Sequence, residues 1–419
     1  MFKKIDIFSK NIIIVFAGTS LVNFFNLLYQ LLIAHKLNPS DFAAFNSLLA
    51  IFVLISSPLG TFAVVVAKYC AEFNARGEDN KVRFLLSDLF KKSFILAIFT
   101  FLIFWFASNC LINILKIPSV FCGYILAALL ASAWLTPVFL GGIQGLELFG
   151  WFVTGSVLSG ALKLGLAFIL ILLGYNAAGA LGALLISNII SIALFYFPLR
   201  RFISLKIFPE EACYRGMFAY LFPVAISCFC FTALVNSDML LVRYFFTPFE
   251  SGIYSLAQMV GKIFLFLPGA ISIVMFPRMS GLKAKNLNTF VTLKISFLYV
   301  AGLCFIAGIF YNFFPAFVLK VVSGKIFPES IILGRLFSVS MSIFALSWLL
   351  ITYFLSINDF RFIKYLVLSA LSQNLVIICF HPSLIWVGVI LCVNSALLFL
   401  MLFQACYKKL TQPIGAVAQ

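Results

Sequence analysis

Carboxylates are scarce: the 419 residues hold 13 Asp and Glu against 29 Lys and Arg, and only two histidines, His35 and His381. Both histidines stand at the ends of apolar runs, and two imidazoles alone do not complete a metal site. There is no paired-carboxylate DxD in a large polar loop, no HExxH, no phosphate-binding Walker loop and no GxSxG elbow. Hydrolytic, nucleotide-driven and metal-dependent enzyme readings therefore lack their usual residues, and no cofactor is implied. The ten cysteines contain no CxxC pair. They fall mostly inside apolar runs and are expected to behave as small buried hydrophobes. Charge of either sign is sparse too, at 10% of residues, where water-soluble domains carry about 25%.

What is present is apolar surface: 63% of residues are hydrophobic and the mean hydropathy is +1.14. Crossing about 30 Å of hydrocarbon takes about 20 apolar residues in a helix, because lipid leaves the backbone no other hydrogen-bond partners. Twelve runs meet that requirement: 11–34, 42–66, 93–114, 121–142, 151–173, 179–199, 218–242, 252–276, 295–314, 331–355, 362–380 and 384–407. The first follows Lys3, Lys4 and Lys10 as a signal peptide would, but it is too long and no small-residue cleavage site follows, so it is expected to be retained. An all-α membrane protein with twelve spans is predicted.

Basic residues set the expected orientation. With the N-terminus inside, 21 of the 29 Lys and Arg fall on cytoplasmic segments, and Lys36, Lys116, Arg243, Lys320 and Lys325 fall on outer loops. Both termini are then cytoplasmic, in a multi-pass protein of the plasma or inner membrane. This bias absorbs most of the net charge of +16, which in a soluble protein would have suggested nucleic acid.

A small turn recurs at half the chain's length. "NPSDFAAF" begins at Asn38 and "TPFESGIY" at Thr247, an offset of 209 that also relates Pro39 to Pro248, Asp41 to Glu250 and Gly60 to Gly269. Each turn joins the first span of its half to the second, with Asp41 and Glu250 expected as polar caps. Pro58 and Pro268 mark both second spans as bendable. Six spans per half is an even number, so the copies enter the membrane in the same direction: two parallel repeats, 1–205 and 206–419. That arrangement is typical of secondary transporters built around a midplane site.

Ionisable groups inside the spans carry the functional signal, since a mid-bilayer cation costs about 2.5–3.5 kcal/mol on insertion scales. Lys163 and Lys262 lie near the middle of spans five and eight, and Arg335 four residues inside span ten. Thr19, Asn23, Asn26 and Gln30 recur at i, i+4, i+7 and i+11 on span one. Ser251, Ser255, Gln258 and Lys262 share that spacing on span eight, and Ser156, Ser159 and Lys163 form a shorter stripe on span five. Such faces are costly against lipid and are expected to line a wet cleft. Asp238 is the one acid well inside a span: a proton or sodium site, a lysine partner or an interfacial residue. Glu147, at the end of span four, is expected to be a solvated cap. More cations than acids favour an anionic ligand such as a phosphate or diphosphate.

Four stretches resemble the polysaccharide and oligosaccharide-lipid flippases of the multidrug/oligosaccharidyl-lipid/polysaccharide exporter superfamily: "AHKLNPSDFAAF", "VAKYCAEFNARGEDNKVRFLL", "GGIQGLELFGWF" and, most specific, "SDMLLVRYFFTPFESGIYSLAQMVGKIFLFLPGAISIVMFPRMSGL". The resemblance covers most of the first 280 residues. It implies two six-helix lobes in a V-shaped, MATE-like transporter that passes the head group of a polyprenyl-diphosphate-linked sugar through a cavity lined by spans one, two, seven and eight. Lys163, Lys262 and Arg335 would then hold the diphosphate, Asn23, Asn26, Gln30 and Gln258 would meet hydroxyls, and Asp238 would be a coupling-ion site. Glycosyltransferases or a polymerase are possible partners. The alternative is a cation-coupled multidrug antiporter of the same superfamily, for which more cavity acids are expected.

Overall fold

The structure, a computed structural model, describes residues 2–203, 215–266 and 289–411, with positions 268, 269, 271, 272, 275, 278, 279 and 282 between them. The expected repeat boundary at 205/206, the basic positions Lys206, Lys283 and Lys285 and most of the "FPRMS" stretch lie outside the described residues. Among the described residues the chain is helical, with no strand. Six helices precede the gap at 204–214: α1 (Phe2–Lys36), α2 (Pro39–Ala75), α3 (Asp79–Ile114), α4 (Phe121–Gly145), α5 (Phe149–Leu172) and α6 (Asn176–Leu199). Seven follow it: α7 (Arg215–Phe245), α8 (Pro248–Phe266), α9 (Phe290–Phe313), α10 (Pro315–Ser323), α11 (Pro328–Ser356), α12 (Ile363–Cys379) and α13 (Leu384–Thr411).

Ten of these, all but α8, α10 and α12, are long and apolar enough to cross a membrane, and the chain is a multi-pass membrane protein. Among the described residues each of the expected runs falls on its own helix, the eighth, 252–276, as far as Phe266. α12 is apolar but has 17 residues, and the described part of α8 has 19. The nine-residue α10 was not anticipated. α2 and α3 reach 37 and 36 residues, well beyond the runs expected there. Their surplus is a polar hairpin at the α2–α3 turn, where Arg76 pairs with Glu72 at 2.6 Å, Lys81 with Glu78 at 3.1 Å and Lys92 with Asp88 at 2.7 Å. Helical neighbours of opposite charge extend a helix into water after the apolar run has ended.

The chain divides into two compact units, Met1–Ala225 and Ile226–Gln419. Within the first, α4 is central: α2, α3 and α6 all pack on it, while α5 packs on α6 and α1 on α5. Within the second, α11 is central in the same way, with α8, α9 and α13 against it and α12 against α13.

The repeated turn does what its residues suggest, with one correction. The residue before the proline is the cap, and the acid sits in the first turn. Asn38 Oδ1 accepts the backbone N–H of Asp41 at 2.7 Å, and Asn38 Nδ2 donates to Asp41 Oδ2 at 3.0 Å. In the second copy Thr247 Oγ1 accepts the N–H of Glu250 at 3.3 Å, while Glu250 Oε2 accepts from the Thr247 N–H at 3.0 Å and its hydroxyl at 2.7 Å. The second is a capping box and the first a side-chain N-cap tied to its acid side chain to side chain; each satisfies helix-end donors that would otherwise lack partners. The stops after α4 and α11 also match: Glu147 and Asn358 are left-handed, with φ 56° and 55°. Asn38→Ala and Thr247→Ala are each expected to cost about 1 kcal/mol. Thermal unfolding of both variants checks this, and a larger loss in one would identify the turn that is held by more than its cap.

Close helix crossings fix the first unit. A Cβ placed on Gly141 would lie 2.6 Å from the Ala63 carbonyl oxygen, and one on Gly145 would lie 2.5 Å from that of Ala67 and 2.6 Å from Cys70 Cβ. Two glycines one turn apart thus bring the α2 and α4 backbones together, the small-xxx-small device of membrane helices. Around this crossing Val66, Cys70, Leu85, Leu86, Phe139, Ile143, Phe195 and Leu199 form a core. Cys122, Cys230 and Cys304 are likewise buried, whereas Cys110 and Cys379 are exposed and depart from the expected burial.

Candidate functional site

Each unit holds one of the mid-span lysines, and each lysine meets an asparagine. In the first unit the Lys163 ammonium donates to Asn26 Oδ1 and lies 4.7 Å from the centre of the Tyr29 ring. Tyr29 is buried and anchored by its own hydroxyl, which donates to the Ala180 carbonyl at 2.8 Å. α1, α5 and α6 are thereby tied together around one cation, and the ring face offers it an electrostatic partner. The ammonium faces a cavity of about 390 Å³ lined by α1, α2, α4, α5 and α6. Its polar lining is Asn26, Ser56, Thr136, Ser156, Ser159, Lys163, Ser187, Asn188 and Ser191, with no carboxylate. The span-five stripe of Ser156, Ser159 and Lys163 thus lines this hollow, which lies within the first unit and contains none of the span-eight stripe. Asn188 Nδ2 donates to Ser132 Oγ at 2.7 Å, and Ser159 Oγ to the Ser187 carbonyl at 3.0 Å.

The span-one stripe divides. Asn26 joins Lys163, Asn23 is exposed, Gln30 is half-buried, and Thr19 turns its hydroxyl back onto the Val15 carbonyl at 2.8 Å. Hydroxyls bond their own helix in this way when no external partner competes.

In the second unit Lys262 Nζ donates to Asn236 Oδ1 at 3.0 Å. Asp238 belongs to the same α7–α8 cluster and is fully buried. Its Oδ2 accepts from the Tyr254 hydroxyl at 2.6 Å and from Gln258 Nε2 at 2.9 Å, while its Oδ1 is buried without a hydrogen-bond partner. Among the described residues no direct ion pair joins Lys262 to Asp238, in contrast to the three pairs of the α2–α3 hairpin. The span-eight stripe does not lie on an open face. Ser251, Ser255 and Gln258 are buried within the unit, and the Ser251 hydroxyl bonds the Thr247 carbonyl at 2.8 Å. An acidic acceptor on α7 makes that burial affordable for the Gln258 amide.

Arg335 is exposed on α11 beside Ile332 and Val339, and among the described residues no hydrogen bond or ion pair links its side chain to the α7–α8 cluster. Arg243, assigned above to an outer loop, is instead in the last turn of α7 and completely buried, with one nitrogen 3.3 Å from the Pro248 carbonyl. A guanidinium at a helix C-terminus can satisfy carbonyls that the helix leaves open, which the apolar run could not reveal.

Sequence reasoning also missed an amide relay. Gln373 Nε2 donates to the Leu234 carbonyl at 2.8 Å, and Asn394 Nδ2 to Gln373 Oε1 at 3.0 Å, joining α7, α12 and α13. The signal was there in two amides inside apolar runs. The offset of 209 also places Tyr29 opposite Asp238 and Phe45 opposite Tyr254. In the first unit this pair is an edge-on aromatic contact with ring centres 6.1 Å apart; in the second it is the 2.6 Å hydroxyl–carboxylate bond.

Comparison with known proteins agrees with this architecture. The polysaccharide biosynthesis protein family matches residues 8–283. No curated protein matches the chain. Among solved structures, an inward-facing multidrug resistance MATE family transporter of the MOP superfamily is 15% identical, with a TM-score of 0.72 over 93% of this chain and 96% of that one. The lipid II flippase MurJ in an inward closed conformation is 14% identical, with a TM-score of 0.71 over 94% and 87%. A MOP superfamily transporter from Pyrococcus furiosus, whose binding pocket is described as of reverse polarity, is 16% identical with a TM-score of 0.56 over 95% of this chain and 94% of that one. These likenesses establish a shared fold, and the family match over residues 8–283 establishes that the chain belongs to the polysaccharide biosynthesis protein family of membrane proteins.

Proposed function

We propose that the protein is an alternating-access flippase that moves an anionic polyprenyl-diphosphate-linked oligosaccharide from the cytoplasmic to the outer leaflet. The observation that carries this reading is the partnering of the two mid-span lysines. Lys163 and Lys262 are each held by a neutral asparagine; Lys163 has no carboxylate beside it, and Lys262 makes no direct ion pair, the buried Asp238 of its cluster attracting it only at longer range. A cation kept un-neutralised in an apolar span has a cost that an anionic cargo would offset. Twelve spans in two parallel six-helix repeats, 1–205 and 206–419, fit the matched packing around α4 and α11 and the paired N-caps at Asn38 and Thr247. The positive-inside bias supports cytoplasmic termini in the plasma or inner membrane. An inside-negative potential would favour export of the head group by about 2.3 kcal/mol per charge per 100 mV.

In this reading Lys163, Lys262 and Arg335 hold the diphosphate, while Asn23, Asn26, Gln30 and Gln258 meet hydroxyls. Gln258 would do so only on leaving Asp238, whereas exposed Asn23 and half-buried Gln30 need no such release. Asp238 is the candidate coupling-ion site, because its buried Oδ1 has an acceptor position to fill. Glycosyltransferases or a polymerase would be working partners. The same Oδ1 is what favours the second reading, cation-coupled multidrug antiport.

The test is flipping of a polyprenyl-diphosphate sugar in proteoliposomes. Lys163→Ala and Lys262→Ala should each lower the rate about tenfold or more, the equivalent of one charge-assisted contact of about 1.5–3 kcal/mol. The double variant should be inactive. Normal transport by the double variant would remove the central support. Expulsion of ethidium without flipping in wild type would select the antiporter.

A further inference from the structure

Between α9 and α11 the chain makes a helix that neither spans nor retreats. α10 has nine residues, about 14 Å of rise, less than half of the hydrocarbon thickness. One side of it is fixed in the second unit: Leu319, Val322 and Ser323 are buried, and α10 packs on α8, α9 and α11. The Ser323 hydroxyl donates to the Leu319 carbonyl at 2.8 Å and the Lys325 carbonyl at 3.0 Å, and left-handed Gly324 returns its N–H to the Lys320 carbonyl at 2.9 Å. The helix is therefore stopped and held at its end, not a frayed loop.

Its other side is apolar and uncovered. Phe314, Phe317 and Val321, at i, i+3 and i+7, are 55%, 58% and 53% exposed. The exposed Lys320 flanks this stripe. The stripe continues one already committed to lipid. On α9, a membrane-spanning helix, Phe305, Ile306, Ile309, Phe310 and Phe313 are exposed and lead directly into Phe314. Water would be a poor neighbour for three adjoining large apolar side chains at the mouth of a lipid-facing surface. A helix with one buried edge, one apolar edge and a lysine between them has the build of an interfacial helix.

We propose that α10 lies in the bilayer interface, with Phe314, Phe317 and Val321 in the acyl chains at the end of α9 and the Lys320 ammonium at the level of the phosphates. The occupant of the stripe is a lipid surface, by continuity with α9. Because α10 packs on α8, it links the leaflet to the helix that carries Gln258 and Lys262. This holds whether or not the protein is a flippase.

The experiment uses the full chain in lipid nanodiscs with a fluorescent phenylalanine analogue at position 317, an exposed site that tolerates it. Quenching by a nitroxide placed shallow on the acyl chain is compared with quenching by aqueous iodide. A second label at Arg83, on the polar α2–α3 hairpin, is the water-exposed reference. The proposal expects shallow-nitroxide quenching at position 317 to exceed that at Arg83 by about threefold or more, as for a residue seated about 5–10 Å into the interface, with iodide quenching reduced to a similar degree. Iodide quenching equal to that at Arg83 would mean the stripe faces water. Protection from both quenchers would mean that a second copy or another protein covers it. Either result overturns the proposal.

Discussion

Gly145→Ala is expected to lower the melting midpoint of the detergent-solubilised protein by about 2–12 °C, and Gly145→Leu to prevent folding. The added methyl would sit 2.5 Å from the Ala67 carbonyl oxygen and 2.6 Å from Cys70 Cβ, and neither backbone atom nor buried Cβ can rotate away. α2 and α4 would have to part along the crossing that also contains Gly141, at an overpacking cost of about 1–3 kcal/mol for one carbon and more for a branched chain. At about 2–4 °C per kcal/mol for a large domain, that gives the shift stated. Gly60→Ala on α2, the partner helix of that crossing, is the control. A Cβ there meets nothing within 4 Å, so alanine should be neutral or stabilise by up to about 1 kcal/mol through helix propensity. If Gly145→Ala melts with wild type while Gly60→Ala does not, the close crossing is wrong.

The second large effect is expected at Asp238. Truncation to alanine removes the acceptor of both the Tyr254 hydroxyl and the Gln258 amide, each of them buried. Orphaning a buried donor costs about 1–3 kcal/mol, so Asp238→Ala should destabilise by roughly 2–5 kcal/mol. The bond itself is isolated by a double-mutant cycle with Tyr254→Phe. Removing both partners leaves no unpaired hydroxyl, so the double variant should be more stable than the sum of the single losses predicts, by about 1–2 kcal/mol. The first unit already carries an apolar version of this pair, Tyr29 against Phe45. Strict additivity would show that the hydroxyl–carboxylate bond contributes nothing.

Much of this was legible in the sequence. Apolar run length located every long helix, because a lipid-spanning segment must satisfy its own backbone. Two lysines in the middle of such runs marked both polar clusters. What the sequence could not supply was the partner. Periodicity says which residues share a face, but not what that face meets. The stripe of Ser251, Ser255 and Gln258 therefore read as a wet surface and is instead packed within its unit. Asn26 and Lys163 are 137 positions apart, and nothing local to either names the other. Arg243 was misplaced because a loop and the last turn of a helix look alike when the run ends in charge. α10 was missed because nine residues are too few to show a period among neighbouring phenylalanines.

The α7–α8 cluster bears on how the chain enters the membrane during synthesis. The described part of α8 is not among the segments long and apolar enough to cross alone, and a lysine near mid-span adds about 2.5–3.5 kcal/mol against its partitioning from the translocon. α7 carries the groups that answer three of its polar side chains: Asp238 for Tyr254 and Gln258, and Asn236 for Lys262. Only the short Thr247-capped turn separates the two helices, so they can leave the translocon as a hairpin whose polar groups are matched before either faces lipid. α8 is thus a passenger of α7. Substitutions on α7 that spare its hydrophobicity but remove Asp238 should appear first as an α8 left on the wrong side of the membrane.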